Sequence, residues 1–272
     1  MKKMKFSVDT LGCKINQSES DLIVKELFEK GLEPVSWREH PDFCIINTCT
    51  VTSRSDSKAR QIIRKIKSQN KSSKIIVTGC FVVFNRKFLK DCGIDFIVEN
   101  KDKSKIPDLI GRVSAAAGRE ELEKGKEIED FDFKSCPQLS QMHSRPLVKI
   151  QDGCEQNCAY CIIPKVRGKY RSVPYREILN KIIDLQEDGF EEVVLTGIHI
   201  GKYGVDFSAG SPGKKSKTRS LVNLLEEVIK ETSIKRIRIS SIEVNEIDSR
   251  LLDILKRNNR HFANHLHIPL QS

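Results

Sequence analysis

The sequence contains no apolar run approaching the ~20 residues that a membrane-spanning helix needs, and its longest hydrophobic stretches are only a few residues long. The N-terminus, MKKMKFSVDT, is basic but is followed by no hydrophobic region, so a secretory signal is not expected. No repeat of solenoid period is present. Without an export signal the expected location is the cytoplasm, a reducing compartment in which structural disulfides are rare. The chain nevertheless carries nine cysteines, and metal binding or catalysis becomes the leading explanation for them. Acidic residues are in the minority, 37 against 47 Lys and Arg, giving a net charge of +10. That balance favours a polyanionic partner such as nucleic acid, although many solvated surfaces are also basic. With 272 residues, 38% hydrophobic and 31% charged, the chain suits about two soluble domains.

The first hundred residues alternate short β-rich runs with helical patterns. Strands are expected at 5–10 (KFSVDT), 43–48 (FCIINT), 74–78 (KIIVT) and 95–99 (DFIVE), and helices at 17–30 and 54–69. Such alternation implies βαβ units and a parallel sheet, in a first domain over 1–112. Residues 113–145 change in composition, with small, acidic and polar segments, and are expected to connect. The alternation resumes over 146–272, with strands at 147–151, 192–196, 235–240 and 264–268 and helices near 175–188, 219–231 and 247–257. The segment 207–219 (FSAGSPGKKSKTR) reads as a flexible basic loop. The fold class is therefore α/β in both parts. The last expected strand has no helix after it, which leaves an uncovered apolar edge unless something outside the chain covers it.

Cys154, Cys158 and Cys161 form Cys-x3-Cys-x2-Cys directly after the strand LVKIQ. The three do not share one helix face, but they can wrap one corner of an iron–sulfur cluster. A four-iron cluster normally takes four cysteines, and here no fourth is adjacent, so one iron keeps an open position where a substrate or cofactor can bind. A structural zinc or unrelated thiols is the alternative. Cys13 (TLGCKINQ), Cys49 (NTCTVT) and Cys80 (VTGC) each follow the end of an expected strand. In an open parallel sheet those ends lie on one edge, where ligands bind. The three could converge on a second cluster, or be three small buried hydrophobes. Cys44 reads as a core residue, Cys92 as part of a turn and Cys136 as part of the connector.

Cys-x3-Cys-x2-Cys with Tyr160 before the last cysteine resembles the radical S-adenosylmethionine superfamily, and the string QDGCEQNCAYCIIPKVRGKYRS resembles its methylthiotransferases. The resemblance implies an N-terminal parallel sheet domain followed by an incomplete radical SAM partial βα barrel. It implies that the open iron binds S-adenosylmethionine, whose reductive cleavage gives a radical that abstracts a substrate hydrogen. TLGCK-NQ, NTCTVT and TGC are similar to the family's N-terminal domain, so Cys13, Cys49 and Cys80 are implied ligands of an auxiliary [4Fe-4S] cluster. Cys154, Cys158 and Cys161 are implied ligands of the radical cluster.

The string VVLTGIHIGKYG carries Gly197, Gly201 and Gly204, which either admit close approach of a ligand or serve a turn. It resembles the family segment beside S-adenosylmethionine, as does SSIE (Ser240, Ser241, Ile242, Glu243). Tyr160, Gly197, Gly201, Ser240 and Glu243 are the residues that the resemblance places near the cofactor. Lys165, Arg167, Lys169 and Arg171 follow the cysteines and are candidates for RNA contact. Arg54 to Lys67 reads as a solvated basic helix face, and His199, His261, His265 and His267 as surface or packing residues. LGCK-NQ together with TGIHIG looks most like the branch that methylthiolates C2 of threonylcarbamoyladenosine (t6A) in the tRNA anticodon loop, fed by an electron donor such as flavodoxin or ferredoxin. The rivals are a ribosomal-protein aspartate methylthiotransferase and a non-catalytic iron–sulfur or RNA-binding fragment. Family members continue well beyond HIPLQS and add a small RNA-binding TRAM domain, absent here. The chain is accordingly expected to be a C-terminally truncated member with weak or no turnover.

Overall fold

The computed structural model describes residues 3–116, 145–208 and 220–270. The chain divides into two compact units, Met1–Met142 and His143–Ser272, each considered by itself.

In the first unit, β1 (Lys5–Thr10), α1 (Lys14–Glu29), β2 (Glu33–Pro34), β3 (Phe43–Thr48), α2 (Ser53–Gln69), β4 (Lys74–Gly79), α3 (Arg86–Asp91), β5 (Phe96–Val98) and α4 (Ile106–Ala116) follow in order. All five strands are parallel and lie in the order β2-β1-β3-β4-β5. β3 is buried along its whole length, as its unbroken apolar run requires when helices cover both faces. Its side chains alternate between the faces. Phe43 and Ile45 join Phe6, Ile23, Leu27, Ile76, Ile106 and Ile110 on one side. Cys44 and Ile46 join Trp37, Ala59, Ile63, Ile66, Ile75 and Val77 on the other. Cys44 is fully buried there, where burial pushes its thiol pKa up.

α1 starts three residues earlier than the hydrophobic pattern suggests, with Cys13 itself as the extended N-cap residue. It ends where Gly31 takes φ +85°, a conformation open to glycine without strain. β2 is a two-residue edge strand containing Pro34, too short to leave a sequence period.

Asp9, on β1, is pushed up to about 6 by burial, partly offset by Arg38. A carboxyl raised in this way stabilises the fold below about pH 4, and that contribution is lost as pH rises through 6. Asp9→Asn removes the penalty of a half-buried charge. At neutral pH the variant is expected to be more stable by about 1–2 kcal/mol, with the gain vanishing near pH 4. Urea unfolding of the first unit at the two pH values checks this; an equal gain at both would sink it.

The second unit contains β6 (Leu147–Asp152), α5 (Ile163–Arg167), β7 (Arg171–Ser172), α6 (Tyr175–Glu187), β8 (Glu192–Gly197), α7 (Leu221–Glu231), β9 (Arg236–Ile239) and α8 (Ser249–Arg257). The sheet order is β7-β6-β8-β9, with β6, β8 and β9 parallel and β7 antiparallel. α6 buries Ile178, Leu179, Ile182 and Leu185, and α7 buries Leu221, Leu224, Leu225 and Val228. Ser220 and Asp248 cap α7 and α8 with their side chains.

The strand expected at 264–268 does not form. Phe262 forms an isolated bridge to Ile237 of β9, Ala263 N–H donates to Ile237 O, and farther on Ile242 N–H, past the end of β9, donates to His267 O. Asn264, His265, His267 and Ile268 are exposed, so the segment has no buried face to fix a register. The connector with Cys136 and most of the basic loop at 207–219 lie outside the described residues. No described helix is long and apolar enough to cross a membrane.

Candidate iron–sulfur and cofactor sites

The strand order of the first unit places its topological switch between β1 and β3, which run out from the centre of the sheet in opposite directions of connection. Open α/β sheets bind ligands at the carboxyl ends of the strands beside such a switch. Cys13 follows β1, Cys49 follows β3 and Cys80 follows β4, so all three sit at that edge. Gly12 takes φ +113°, and a Cβ there would lie 2.6 Å from the Cβ of Cys49 and 3.1 Å from its sulfur. The loop carrying Cys13 therefore rests directly on Cys49. Cys49 and Cys80 each come one residue after a paired couple, Thr48 and Gly79. Gly79, at φ +103°, lies so close to β3 that a Cβ would come within 2.1 Å of Thr48 O.

A buried polar network sets this edge. Asn16 donates to Leu11 O at 2.8 Å and to Thr48 O at 3.0 Å, tying the Cys13 loop to the end of β3. Asn47 donates to Asn16 O and to Ser20 Oγ. Asn100 Nδ2 approaches Cys80 Sγ at 3.7 Å. Cys13 is exposed, while Cys49 and Cys80 are buried. The arrangement offers three thiols at one sheet edge, open on one side.

In the second unit the cysteine loop begins at Gly153, φ +72°, where a Cβ would lie 1.9 Å from Lys169 O. Cys154 N–H donates to Gly168 O at 2.9 Å. Asp152, at the end of β6, accepts from Gly153 N–H at 2.8 Å, from Arg167 at 2.9 Å and from Arg171 at 3.3 Å. Cys154 is buried, Cys161 half-buried and Cys158 exposed. Burial raises the Cys154 thiol pKa, and the charges of Cys161 and Cys158 push it further up, against hydrogen bonds from Gln156 and Tyr170.

Among the described residues, no three His, Cys, Asp or Glu side chains close around a single metal ion. A four-iron cluster spreads its thiolates wider than one ion does. The donor chemistry fits such a cluster: three thiols on one short loop, with no fourth protein ligand beside them.

The other expected residues separate into groups. Tyr160 is 71% exposed, and its hydroxyl pKa is raised by desolvation, then by the charges of Cys158 and Glu243. Ser240 is 5% exposed, and its hydroxyl has no hydrogen-bond partner among the described residues. A buried unsatisfied hydroxyl at a strand end invites a ligand atom. Ser241 turns outward to His267, and Ile242 is buried. Gly197 packs on β6, where a Cβ would meet Ile200 and Gln151. At Gly201 a Cβ would lie 1.9 Å from Glu246 Oε2. Neighbours within the chain thus account for both glycines.

Lys165, Lys169 and Arg171 are exposed. Arg167 must be corrected: its side chain is wholly buried in the ion pair with Asp152 and cannot touch RNA. Sequence reasoning also missed Gln151, Asp152, Tyr170, Glu246 and, above all, His199. Read as a surface or packing residue, His199 instead places Nδ1 3.4 Å from Cys154 Sγ.

Residues 5–99 match the uncharacterized protein family UPF0004, and residues 148–272 match the radical SAM superfamily. The threonylcarbamoyladenosine tRNA methylthiotransferase MtaB of Aquifex aeolicus is 35% identical over 99% of this chain and 63% of its own length. That of Bacillus subtilis is 36% identical over 97% of this chain and 56% of its own. Over nearly its whole length the chain is similar to proteins named as tRNA methylthiotransferases, and its second part is a radical SAM region. A tRNA-2-methylthio-N(6)-dimethylallyladenosine synthase of Thermotoga petrophila is 29% identical over 99% of the chain and 58% of its own length. Among solved structures, the radical S-adenosylmethionine methyltransferase TsrM of Kitasatospora setae, with tryptophan and a SAM analogue bound, superposes with a TM-score of 0.64 at 12% identity. It covers 99% of this chain and 59% of its own. At that identity the likeness speaks for the fold, which is the radical SAM fold preceded by a parallel sheet. The chain spans 56–63% of the length of these curated methylthiotransferase relatives. The radical SAM match implies a [4Fe-4S] cluster and S-adenosylmethionine.

Proposed function

We propose that the chain is the cluster-bearing part of a tRNA methylthiotransferase that adds a methylthio group at C2 of threonylcarbamoyladenosine in the anticodon loop. The observation that carries the reading is the similarity to two proteins of that name at 35% and 36% identity over nearly the whole chain. In this reading Cys154, Cys158 and Cys161 hold the radical [4Fe-4S] cluster, and Cys13, Cys49 and Cys80 hold the auxiliary one. When bound, S-adenosylmethionine would supply hydrogen abstraction and, from a second molecule, the methyl group. The chain's own residues hold and shield these groups. Gly153 and Asp152 shape the cysteine loop, Tyr160 and Glu243 stand at its open side, and Ser240 presents a free hydroxyl. Lys165, Lys169 and Arg171 contribute phosphate contacts that give affinity without sequence information. An external electron donor of the flavodoxin or ferredoxin class completes the system.

The test uses the anaerobically reconstituted chain. Iron and labile sulfide are counted first, and about eight irons are expected for two four-iron clusters. The chain is then offered tRNA bearing threonylcarbamoyladenosine, tRNA bearing dimethylallyladenosine and ribosomal protein, with mass spectrometry reading the added methylthio group. Its presence, rather than its rate, is the readout. Product on the first substrate alone is expected. Product on the ribosomal protein, or on the tRNA bearing dimethylallyladenosine, would overturn the assignment.

A further inference from the structure

His199 follows β8 and is held at both ends. Its backbone N–H donates to Gln151 Oε1 at 2.8 Å, so the end of β6 sets where the residue begins. Its ring lies edge-on to Tyr170, with centroids 5.9 Å apart. Nδ1 is 3.4 Å from Cys154 Sγ, and Nε2 is 2.7 Å from Glu246 Oε1. A ring carrying a proton on each nitrogen would face the carboxylate on one side and the sulfur on the other. The Glu246 side chain is only 6% exposed and also meets Lys202 Nζ at 3.3 Å. Burial disfavours its charge, but His199 and Lys202 outweigh that and hold the carboxyl below its ordinary range. The carboxylate fits because residue 201 is glycine: a Cβ there would occupy the position of Oε2.

The three cysteines of the loop are therefore not equivalent. Cys158 is exposed and Cys161 half-buried, whereas Cys154 is buried and meets both the Gln156 N–H at 3.5 Å and the His199 ring. A cysteine that ligates metal is a thiolate, which accepts hydrogen bonds and donates none. A ring nitrogen facing that sulfur is then useful only as a donor. Hydrogen bonds to the ligand sulfurs are among the factors that set the potential of an iron–sulfur cluster, and groups that orient a metal site's ligands tune it.

We infer that His199 is a positioning residue that donates from Nδ1 to the Cys154 sulfur, held in that orientation by Glu246, and thereby makes the radical cluster easier to reduce. This rests on Cys154 being a ligand of that cluster, as proposed above. Donation withdraws electron density from the thiolate, so the reduced cluster gains more than the oxidised one. The glycine at 201 leaves room for the buried Glu246 carboxylate that meets the ring.

The experiment uses the full chain with Cys13, Cys49 and Cys80 replaced by alanine, so that a single cluster is observed. Iron is counted, and the reduced cluster is quantified by electron paramagnetic resonance against a graded series of reductant potentials. The parent is expected to hold about four irons. His199→Ala is expected to hold the same iron but to shift its midpoint to more negative potential, with several-fold less reduced cluster at a fixed reductant. His199→Gln, whose amide can still donate, is expected to recover part of the signal. A parent without a cluster overturns both the cluster assignment and this inference. A parent with a cluster, and an alanine variant of unchanged midpoint, overturns the inference alone. If the alanine variant loses its iron, a glutamine variant that keeps cluster and midpoint supports the donor role. Loss of iron from both makes His199 a structural residue and overturns it.

Discussion

Asp152→Ala is expected to cost the second unit about 3–5 kcal/mol and to empty its cysteine site. The loss follows from what Asp152 leaves behind. The Arg167 side chain is wholly buried, and Asp152 is its ion-pair partner at 2.9 Å. Removing one member of a buried pair strands the other's charge away from water, which is far more costly than losing an exposed pair. The same carboxylate accepts the N–H of Gly153 at 2.8 Å, at the residue whose φ of +72° turns the chain into the cysteine loop. Stability and ligand geometry should therefore fail together. Urea unfolding and an iron count on reconstituted protein read the two effects, and the iron is expected to fall by about half as one of two clusters is lost. Arg171→Ala is the control. Arg171 meets the same carboxylate at 3.3 Å, but its side chain is 48% exposed, so its removal is expected to change stability by less than about 1 kcal/mol. Equal losses for the two variants would show that burial of the Arg167 pair is not what counts.

The contrast between Arg167 and Arg171 also marks where the sequence stopped being readable. FCIINT and KIIVTG announce strands buried on both faces because their apolar runs are unbroken, and parallel packing between helices leaves no other use for them. Cysteines placed just beyond such runs fall on one sheet edge, since every parallel strand ends on the same side. Side-chain partnership is a different kind of information. Nothing in PKVRGKYRS distinguishes a buried arginine from exposed ones, because burial there depends on Asp152 folding back from another element. His199 was passed over for the same reason: Cys154 lies 45 residues earlier, and Glu246 comes from beyond β9. β2 and β7 span two residues each and carry no period to detect. At 264–268 the apolar alternation was real, but no neighbouring strand accepts it along its length.

Lys103 and Glu19 give the second large expected effect, in the first unit. Their side chains form an ion pair and are 5% and 6% exposed. Glu19 belongs to α1, which starts directly after Cys13. Lys103 lies in the turn after β5, three residues past Asn100, whose amide approaches the Cys80 sulfur. The pair thus braces the helix that follows Cys13 against the turn whose Asn100 approaches the Cys80 sulfur. Lys103→Met leaves a carboxylate in a dry interior and is expected to destabilise the unit by about 3–5 kcal/mol. Glu19→Leu is expected to cost a similar amount by stranding the ammonium. Two uncharged side chains of comparable volume strand nothing, so the double variant should recover most of either loss, and apolar replacements of buried pairs are often neutral or better. Urea midpoints of the two single variants and the double variant form a complete cycle. A double variant no more stable than the worse single one would show that the ions are held by further hydrogen bonds that methionine and leucine cannot replace. If the double variant recovers stability but binds less iron, the pair serves the geometry of the Cys13 and Cys80 loops rather than the strength of the fold.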